Sequence, residues 1–204
     1  FYFKNKEVIE TKGDTEAIIE SKYNFQSKNV LLLRNEMELS SLYKTTVKDD
    51  DFNVYKYRNF YNGGGVALGD INNDDLLDIY LTSNQGENRL FLNLGGFKFK
   101  NITEFAGVSG NKAWSTGVTM VDINGDGFLD IYVCNSGDVE GDNKQNELFI
   151  NNGDLTFKES ALKYNLNDEG FSTHANFFDY DKDGDLDVYI LNNSFQAIGS
   201  FDLR

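Results

Sequence analysis

Cysteine, histidine and long apolar stretches are nearly missing from this 204-residue chain, and each shortage narrows what it can be. The single cysteine, Cys134, excludes an internal disulfide and leaves the redox compartment open. The single histidine, His174, has no nucleophile or paired acid set beside it by any motif, which favours a structural role over a general base or metal ligand. No apolar run approaches the roughly 20 residues that span a bilayer, so no transmembrane segment is expected. Positive charge is short as well: 19 Lys and Arg face 33 Asp and Glu, for a formal net charge of -14. Such a surface repels phosphate and argues against nucleic acid as a partner. There is no recognisable signal peptide, yet the chain opens at Phe1 rather than Met, so a processed or incomplete N-terminus is expected. At 40% hydrophobic residues the chain still has the means to bury a core.

The acidity is concentrated in three places. Three nine-residue loops, Asp70 to Asp78 (DINNDDLLD), Asp122 to Asp130 (DINGDGFLD) and Asp179 to Asp187 (DYDKDGDLD), hold twelve aspartates against one lysine, a net -11 of the -14. Each runs straight into a β-branched and aromatic segment, IYL, IYV or VYI. Side-chain oxygens fall at loop positions one, three, five and nine: Asp70, Asn72, Asp74 and Asp78; Asp122, Asn124, Asp126 and Asp130; Asp179, Asp181, Asp183 and Asp187. That spacing lets a tight turn wrap one hard cation in oxygen, as Ca2+ prefers, so up to three structural calcium ions are expected. Position seven, occupied by Leu76, Phe128 or Asp185, would ligate through its backbone carbonyl, for which the side chain is immaterial. Gly127 and Gly184 stand at position six, where the backbone must turn sharply. The first loop has Asp75 there, a residue that tolerates a left-handed conformation better than most.

The rival reading is the EF-hand, whose loop begins alike but closes with a bidentate Glu at position twelve. Here position twelve is Leu81, Val133 or Ile190, none of which binds metal, and the flanks alternate as strands do. The loops therefore belong to a β protein. Loops of this kind load at the roughly millimolar calcium found outside cells, which points to a secreted or cell-surface setting.

Superposing the loops exposes a longer unit, of 52 residues from Asp70 to Asp122 and 57 from Asp122 to Asp179. Asn88 to Phe99 (NRLFLNLGGFKF) matches Asn146 to Phe157 (NELFINNGDLTF), and Trp114-Ser115-Thr116-Gly117 matches Phe171-Ser172-Thr173-His174. The extra length of the second unit lies in one loop, Ser136 to Gln145. Each unit reads as four short strands: one before the acidic loop, one leaving it, a third around Leu90-Phe91-Leu92 or Leu148-Phe149-Ile150, and a fourth with Phe97 and Phe99 or Leu155 and Phe157. Four-stranded antiparallel sheets repeated at a period near 50 predict an all-β chain built as β-propeller blades, with small residues of the first strand at a crowded centre. Two complete blades and part of a third are visible, too few to close a ring, so the chain reads as a partial ring continuing in a longer protein.

Three stretches resemble bacterial FG-GAP/VCBS-repeat proteins, which are related to the integrin α-subunit propeller and often carry an ASPIC/UnbV domain: Phe60 to Asn84, Thr116 to Gly137 and Ser172 to Ser194. The resemblance covers roughly residues 51–200. It implies a calcium-stabilised propeller, secreted or displayed at a cell surface and engaged in binding a protein or glycan, in adhesion or as an accessory subunit of an envelope or outer-membrane complex. No convergent acid and base is recognisable outside the loops, so the expectation is a binding module rather than an enzyme. The alternative is a propeller-type polysaccharide lyase or hydrolase whose catalytic residues lie elsewhere.

Residues 1–50 do not match the repeat and read as a linker or blade-completing strand, with a short helix over TEAIIESKY and a strand over Asn29 to Leu33. The series Tyr80, Tyr132 and Tyr189 recurs at repeat spacing and belongs to blade architecture, Cys134 is a small buried filler, and Trp114 and Phe171 are expected between blades rather than on a sugar-stacking surface.

The third loop has four carboxylates at ligand positions, Asp179, Asp181, Asp183 and Asp187, where Asn72 and Asn124 leave three in the others. It should therefore bind calcium tightest, and the first loop, with Asp75 at the glycine position, weakest or most variably. Calorimetric titration of single-loop Asp→Ala variants checks the order, and equal affinities would refute it.

Overall fold

A computed structural model describes residues 63–138 and 141–193, and within them the backbone is almost wholly strand, turn and bend. In the first unit β1 (Val66–Gly69), β2 (Asp78–Leu81), β3 (Arg89–Asn93) and β4 (Phe99–Asn101) form one antiparallel sheet in chain order. A single helical turn, α1 (Thr103–Ala106), leads away from it. The second unit repeats the meander as β5 (Ser115–Val121), β6 (Asp130–Asn135), β7 (Glu147–Asn151) and β8 (Phe157–Glu159). In the third, β9 (Ser172–Phe178) pairs with β10 (Asp187–Asn192). The predicted all-β repeat of four antiparallel strands is thus observed as two four-stranded sheets and a two-stranded one. The helix over TEAIIESKY, the strand from Asn29 to Leu33 and the chain beyond Asn193 lie outside the described residues.

Each acidic loop is the connection of a hairpin. The residue before loop position one pairs with position nine: Gly69 with Asp78, Val121 with Asp130 and Phe178 with Asp187. The fourth strands begin later than their apolar pairs implied. Phe97 and Leu155 sit at φ 60° and 67° in tight turns, and pairing starts only at Phe99 and Phe157. Leu94 donates to the Lys98 carbonyl at 2.8 Å and Asn152 to the Thr156 carbonyl at 3.0 Å, so the turn's own hydrogen bonds override the alternation.

The core lies between successive sheets. Ile71, Tyr80, Leu90, Val118, Ile131 and Val133 form one buried cluster joining the first sheet to the second. Tyr132, Cys134, Leu148 and Ala175, backed by Phe177 and Val188, join the second to the third. Tyr132 meets Phe177 edge-on at 5.3 Å between ring centroids. The tyrosine series has a polar task as well: the Tyr80 hydroxyl donates to the Val108 carbonyl at 2.6 Å and that of Tyr132 to the Leu166 carbonyl at 2.9 Å. Each pins the segment that leaves its sheet for the next. Tyr189, on the two-stranded sheet, is 60% exposed. Cys134 is buried, which pushes its thiol up to about 12 and makes it a filler rather than a nucleophile. Trp114 is buried, so it offers no sugar-stacking surface, and the Phe171 ring lies under the Lys144 ammonium at 4.4 Å.

The first strands β1, β5 and β9 lie side by side. The Thr119 hydroxyl on β5 donates to the Ala175 carbonyl on β9 at 2.6 Å, and Thr116 donates to the Ser172 carbonyl at 2.7 Å. Buried amides continue the stitching: Asn88 Nδ2 donates to Ser115 Oγ (3.2 Å), which donates to Asn135 Oδ1 (2.8 Å). One unit on, Asn146 Nδ2 donates to Ser172 Oγ (3.0 Å), which donates to Asn192 Oδ1 (2.9 Å). The approach is close enough to demand glycine. A Cβ on Gly65 would lie 2.6 Å from the Thr116 carbonyl oxygen, and one on Gly117 would lie 2.4 Å from that of Thr173.

Gly117→Ala should therefore push β5 from β9 and cost about 1–3 kcal/mol or more, the range for overpacking a core. Chemical denaturation measures it, and a variant as stable as the parent would contradict the close packing of the first strands.

Candidate metal centres

The loops are held open by their own first aspartate. Asp70 Oδ1 accepts the backbone N–H groups of Asn72 (3.3 Å) and Asp74 (3.1 Å), and Oδ2 that of Asp75 (2.7 Å). Asp122 does the same for Gly125 (2.8 Å), Asp126 (3.1 Å) and Gly127 (2.8 Å), and Asp179 accepts from Gly184 (3.2 Å). Position five caps the turn: Asp74, Asp126 and Asp183 accept from the backbone N–H of Leu76, Phe128 and Asp185 at 2.9, 2.9 and 3.1 Å. Position six is left-handed throughout, with φ 64° at Asp75, 89° at Gly127 and 95° at Gly184, as its residue types led one to expect. Position four is left-handed too, at Asn73, Gly125 and Lys182, with φ 58°, 72° and 64°. Asn and Gly favour that conformation, but nothing in Lys182 announces it.

The ninth aspartate is where loop and sheet meet. Asp78 is fully buried; its Oδ2 accepts from the Ile71 N–H at loop position two (3.0 Å), and its Oδ1 from the Asn93 N–H at the end of β3 (2.8 Å). Asp130, equally buried, accepts from Ile123 (2.9 Å) and Asn151 (2.8 Å). Asp187 accepts from Tyr180 at 2.8 Å. Position two and the closing Asn of the third strand are thus functional residues that ligand spacing does not reveal. Their signal was the repeated Asn itself, in LFLN and LFIN.

Burial pushes the Asp78 carboxyl up, against the pull of the Asn93 and Ile71 N–H groups, and the charges of Asp74 and Asp70 add to the rise. Asp130 is raised in the same way, with Asp126 and Asp122 as its neighbours. Burial works against ionised Asp70 too, but the N–H groups of Asp74, Asp75, Asn72 and Asn73 outweigh it and hold the carboxyl below its ordinary range. In the third loop a hydrogen bond and the charge of Asp183 push Asp185 up, so this pair competes for one proton.

Three observations test whether these residues fit a hard divalent cation. Carboxylate oxygens of Asp179, Asp181 and Asp187 converge within 4.8 Å of one another. In the first loop Asn72 turns its Nδ2 to Asp74 Oδ2 at 3.0 Å, which leaves its Oδ1 buried with no donor among the described residues. A buried acceptor without a donor is costly unless a cation satisfies it. The donor set is all oxygen, carboxylate and amide, as calcium requires. Asn124 repeats the geometry, donating to Asp126 Oδ2 at 2.8 Å. Of the position-seven side chains, Phe128 packs against Gly153, while Asp185 is exposed beside Asp183. His174 is exposed on β9, away from the loop oxygens.

A family model described as FG-GAP-like repeat matches residues 70–133 and 136–190. Cartilage acidic protein 1 of Xenopus tropicalis is 32% identical over 144 residues, covering 68% of this chain and 21% of that protein. The Homo sapiens protein of the same name is 27% identical over 139 residues, covering 67% of this chain and 20% of its own, and that of Mus musculus 28% identical over 136 residues, covering 66% and 20%. The chain spans about a fifth of the length of the curated relatives it matches. These relatives are animal proteins, whereas the motifs had resembled bacterial members of the repeat family.

Carboxyls raised in the fold favour the folded state while protonated, below their unfolded value, and that contribution is lost as the pH rises through the folded value. Asp78 and Asp130 are of this kind. Calcium-free protein should thus gain stability as the pH falls toward the ordinary aspartate value of about 3.9, while calcium, which needs ionised ligands, loses its grip over the same descent. Asp70, held low, gives up its contribution only further down. Melting temperatures with calcium and with EDTA should converge as the pH drops. A gap of constant size would contradict the assignment.

Proposed function

We propose, on the premise that the chain belongs to the FG-GAP-like repeat family, that it is part of a calcium-stabilised β-propeller outside the cell that binds a protein or glycan. The observation that carries this reading is the convergence of Asp179, Asp181 and Asp187 on one point at the turn of a hairpin. Its counterparts in the other two units sit at the same register, between Gly69 and Asp78 and between Val121 and Asp130. A propeller is favoured over a flat stack because β1, β5 and β9 crowd together through Gly65 and Gly117, as inner strands around an axis would. The ring itself, of four or more such sheets, is part of the proposal. So is the extracellular setting, which suits both the calcium concentration the loops need and relatives named for cartilage.

In this reading Asp70, Asn72, Asp74 and Asp78 and their counterparts would hold the ions, with the carbonyls of Leu76, Phe128 and Asp185. The ion supplies positive charge that offsets the crowded carboxylates and ties the first two strands of each unit. The proposal assigns no reaction to the chain: its role is to present a rigid surface. No helix among the described residues is long and apolar enough to cross a membrane.

The stabilisation is large. With a dissociation constant near 10 μM, roughly millimolar calcium would add about 2.7 kcal/mol per site. Three sites rival the whole stability of an ordinary domain. Chelation should lower the melting temperature by tens of degrees or unfold the protein, with calcium but not magnesium restoring it at equal concentration. A melting temperature indifferent to EDTA would overturn the proposal.

A further inference from the structure

The first two acidic loops are joined by a continuous run of hydrogen bonds. Asp78 Oδ2 accepts from the Ile71 N–H at 3.0 Å, and the Ile71 carbonyl accepts from Asn151 Nδ2 at 2.8 Å. The Asn151 backbone N–H donates to Asp130 Oδ1 at 2.8 Å, and Asp130 Oδ2 accepts from the Ile123 N–H at 2.9 Å. The ninth aspartate of one loop is thus connected to that of the next through the backbone of one residue, Ile71, and one asparagine, and Asp78, Ile71, Asn151 and Asp130 are all buried. The amide of Asn151 has no slack: Nδ2 also donates to the Leu129 carbonyl at 3.1 Å, and Oδ1 accepts from the Gly153 N–H at 2.9 Å. Asn93, its counterpart in the first unit, keeps the local bonds, to the Leu77 carbonyl and from the Gly95 N–H, both at 2.9 Å. What Asn151 adds is the bond that crosses between sheets. A second link runs over the surface, where Asn73 Nδ2 donates to the Gly127 carbonyl at 3.1 Å. Among the described residues no hydrogen bond joins the second loop to the third in this way.

We propose that the first and second loops take up their cations cooperatively, and that Asn151 is the positioning residue that couples them. The inference rests on the reading of the loops as cation sites. Ordering of one loop fixes its ninth carboxylate and the peptide at position two. In the first loop the carbonyl of that same residue, Ile71, is what holds the Asn151 side chain, and the Asn151 backbone holds Asp130. Each buried group restricts the position of the one bonded to it, so ordering at one end lowers the cost of ordering at the other. Coupling of this kind is reciprocal. Electrostatics through space acts in the opposite sense, because a cation in one acidic loop weakens the negative potential that attracts the next. The sign of the coupling therefore separates the two mechanisms.

The test uses the whole chain and calcium alone, followed by 15N NMR through the backbone amides of Asp75 and Gly127, each of which donates to the first aspartate of its own loop. Disabling the second loop with Asp122→Ala should raise the calcium concentration at the Asp75 midpoint about fivefold or more, the usual lower range for site–site coupling. In an Asn151→Ala background the same change should move that midpoint by less than about twofold. Asp179→Ala, in the third loop, which no hydrogen bond among the described residues joins to the second, should move it less than Asp122→Ala does. An Asp75 midpoint that ignores Asp122→Ala, or that falls to lower calcium, overturns the inference with no need of the Asn151 variant. If Asn151→Ala does not fold, Asn151→Ser, whose hydroxyl can still accept from the Gly153 N–H but does not reach the Ile71 carbonyl, takes its place: coupling lost in it supports the inference, and coupling untouched overturns it. Should neither amide respond to calcium, the cation reading itself fails; should both respond independently, that reading stands and only the coupling falls.

Discussion

The fold depends on one carboxylate used in two directions. At the ninth position of each acidic loop an aspartate reaches back to the second residue of the loop, and in both complete units it also reaches sideways to the last residue of the third strand. Two strands and one loop thereby share a single buried carboxylate in each complete unit. Burial alone disfavours the charge, as the raised carboxyls of Asp78 and Asp130 show. Two N–H donors compensate in part, and a cation in the loop would complete the compensation. An acidic loop with metal-ligand spacing is thus also the corner on which the hairpin is built.

Repetition supplies the rest. One sheet has two apolar faces and cannot bury both, so each unit leans on the next, with Tyr80 and Tyr132 filling the gap and anchoring the outgoing chain through their hydroxyls. The price of stacking falls on the first strands, where backbone approaches backbone and Gly65 and Gly117 have no room for a side chain. The buried amides of Asn88 and Asn146 repeat the same stitch from one sheet to the next.

Much of this could be read in the residues. Alternation and turn chemistry located the strands of all three units, the loop spacing separated these turns from an EF-hand, and the small residues of the first strand announced the close packing of neighbouring first strands. What stayed hidden has physical causes. Phe97 and Leu155 look like strand residues because hydrophobicity carries no information on φ, and the turn's hydrogen bonds decide otherwise. Lys182 takes a left-handed conformation that its loop imposes rather than its own preference. α1 is a single turn, too short for a helical period to register. In the candidate sites, the spacing of the acidic positions was legible and the residues that support them were not. An asparagine that closes a strand reads as turn punctuation, and only the packed structure shows Asn151 buried between two sheets with every polar atom engaged.

Hydrogen exchange at four backbone amides tests the claim that loop and sheet share this anion most directly. Ile71 and Asn93 donate to Asp78, and Ile123 and Asn151 to Asp130. In calcium all four should exchange slowly, and chelation should accelerate them together, the strand amides of Asn93 and Asn151 as much as the loop amides of Ile71 and Ile123. If chelation frees the loop amides and leaves Asn93 and Asn151 as protected as before, the cation and the sheet are independent, and the account is wrong.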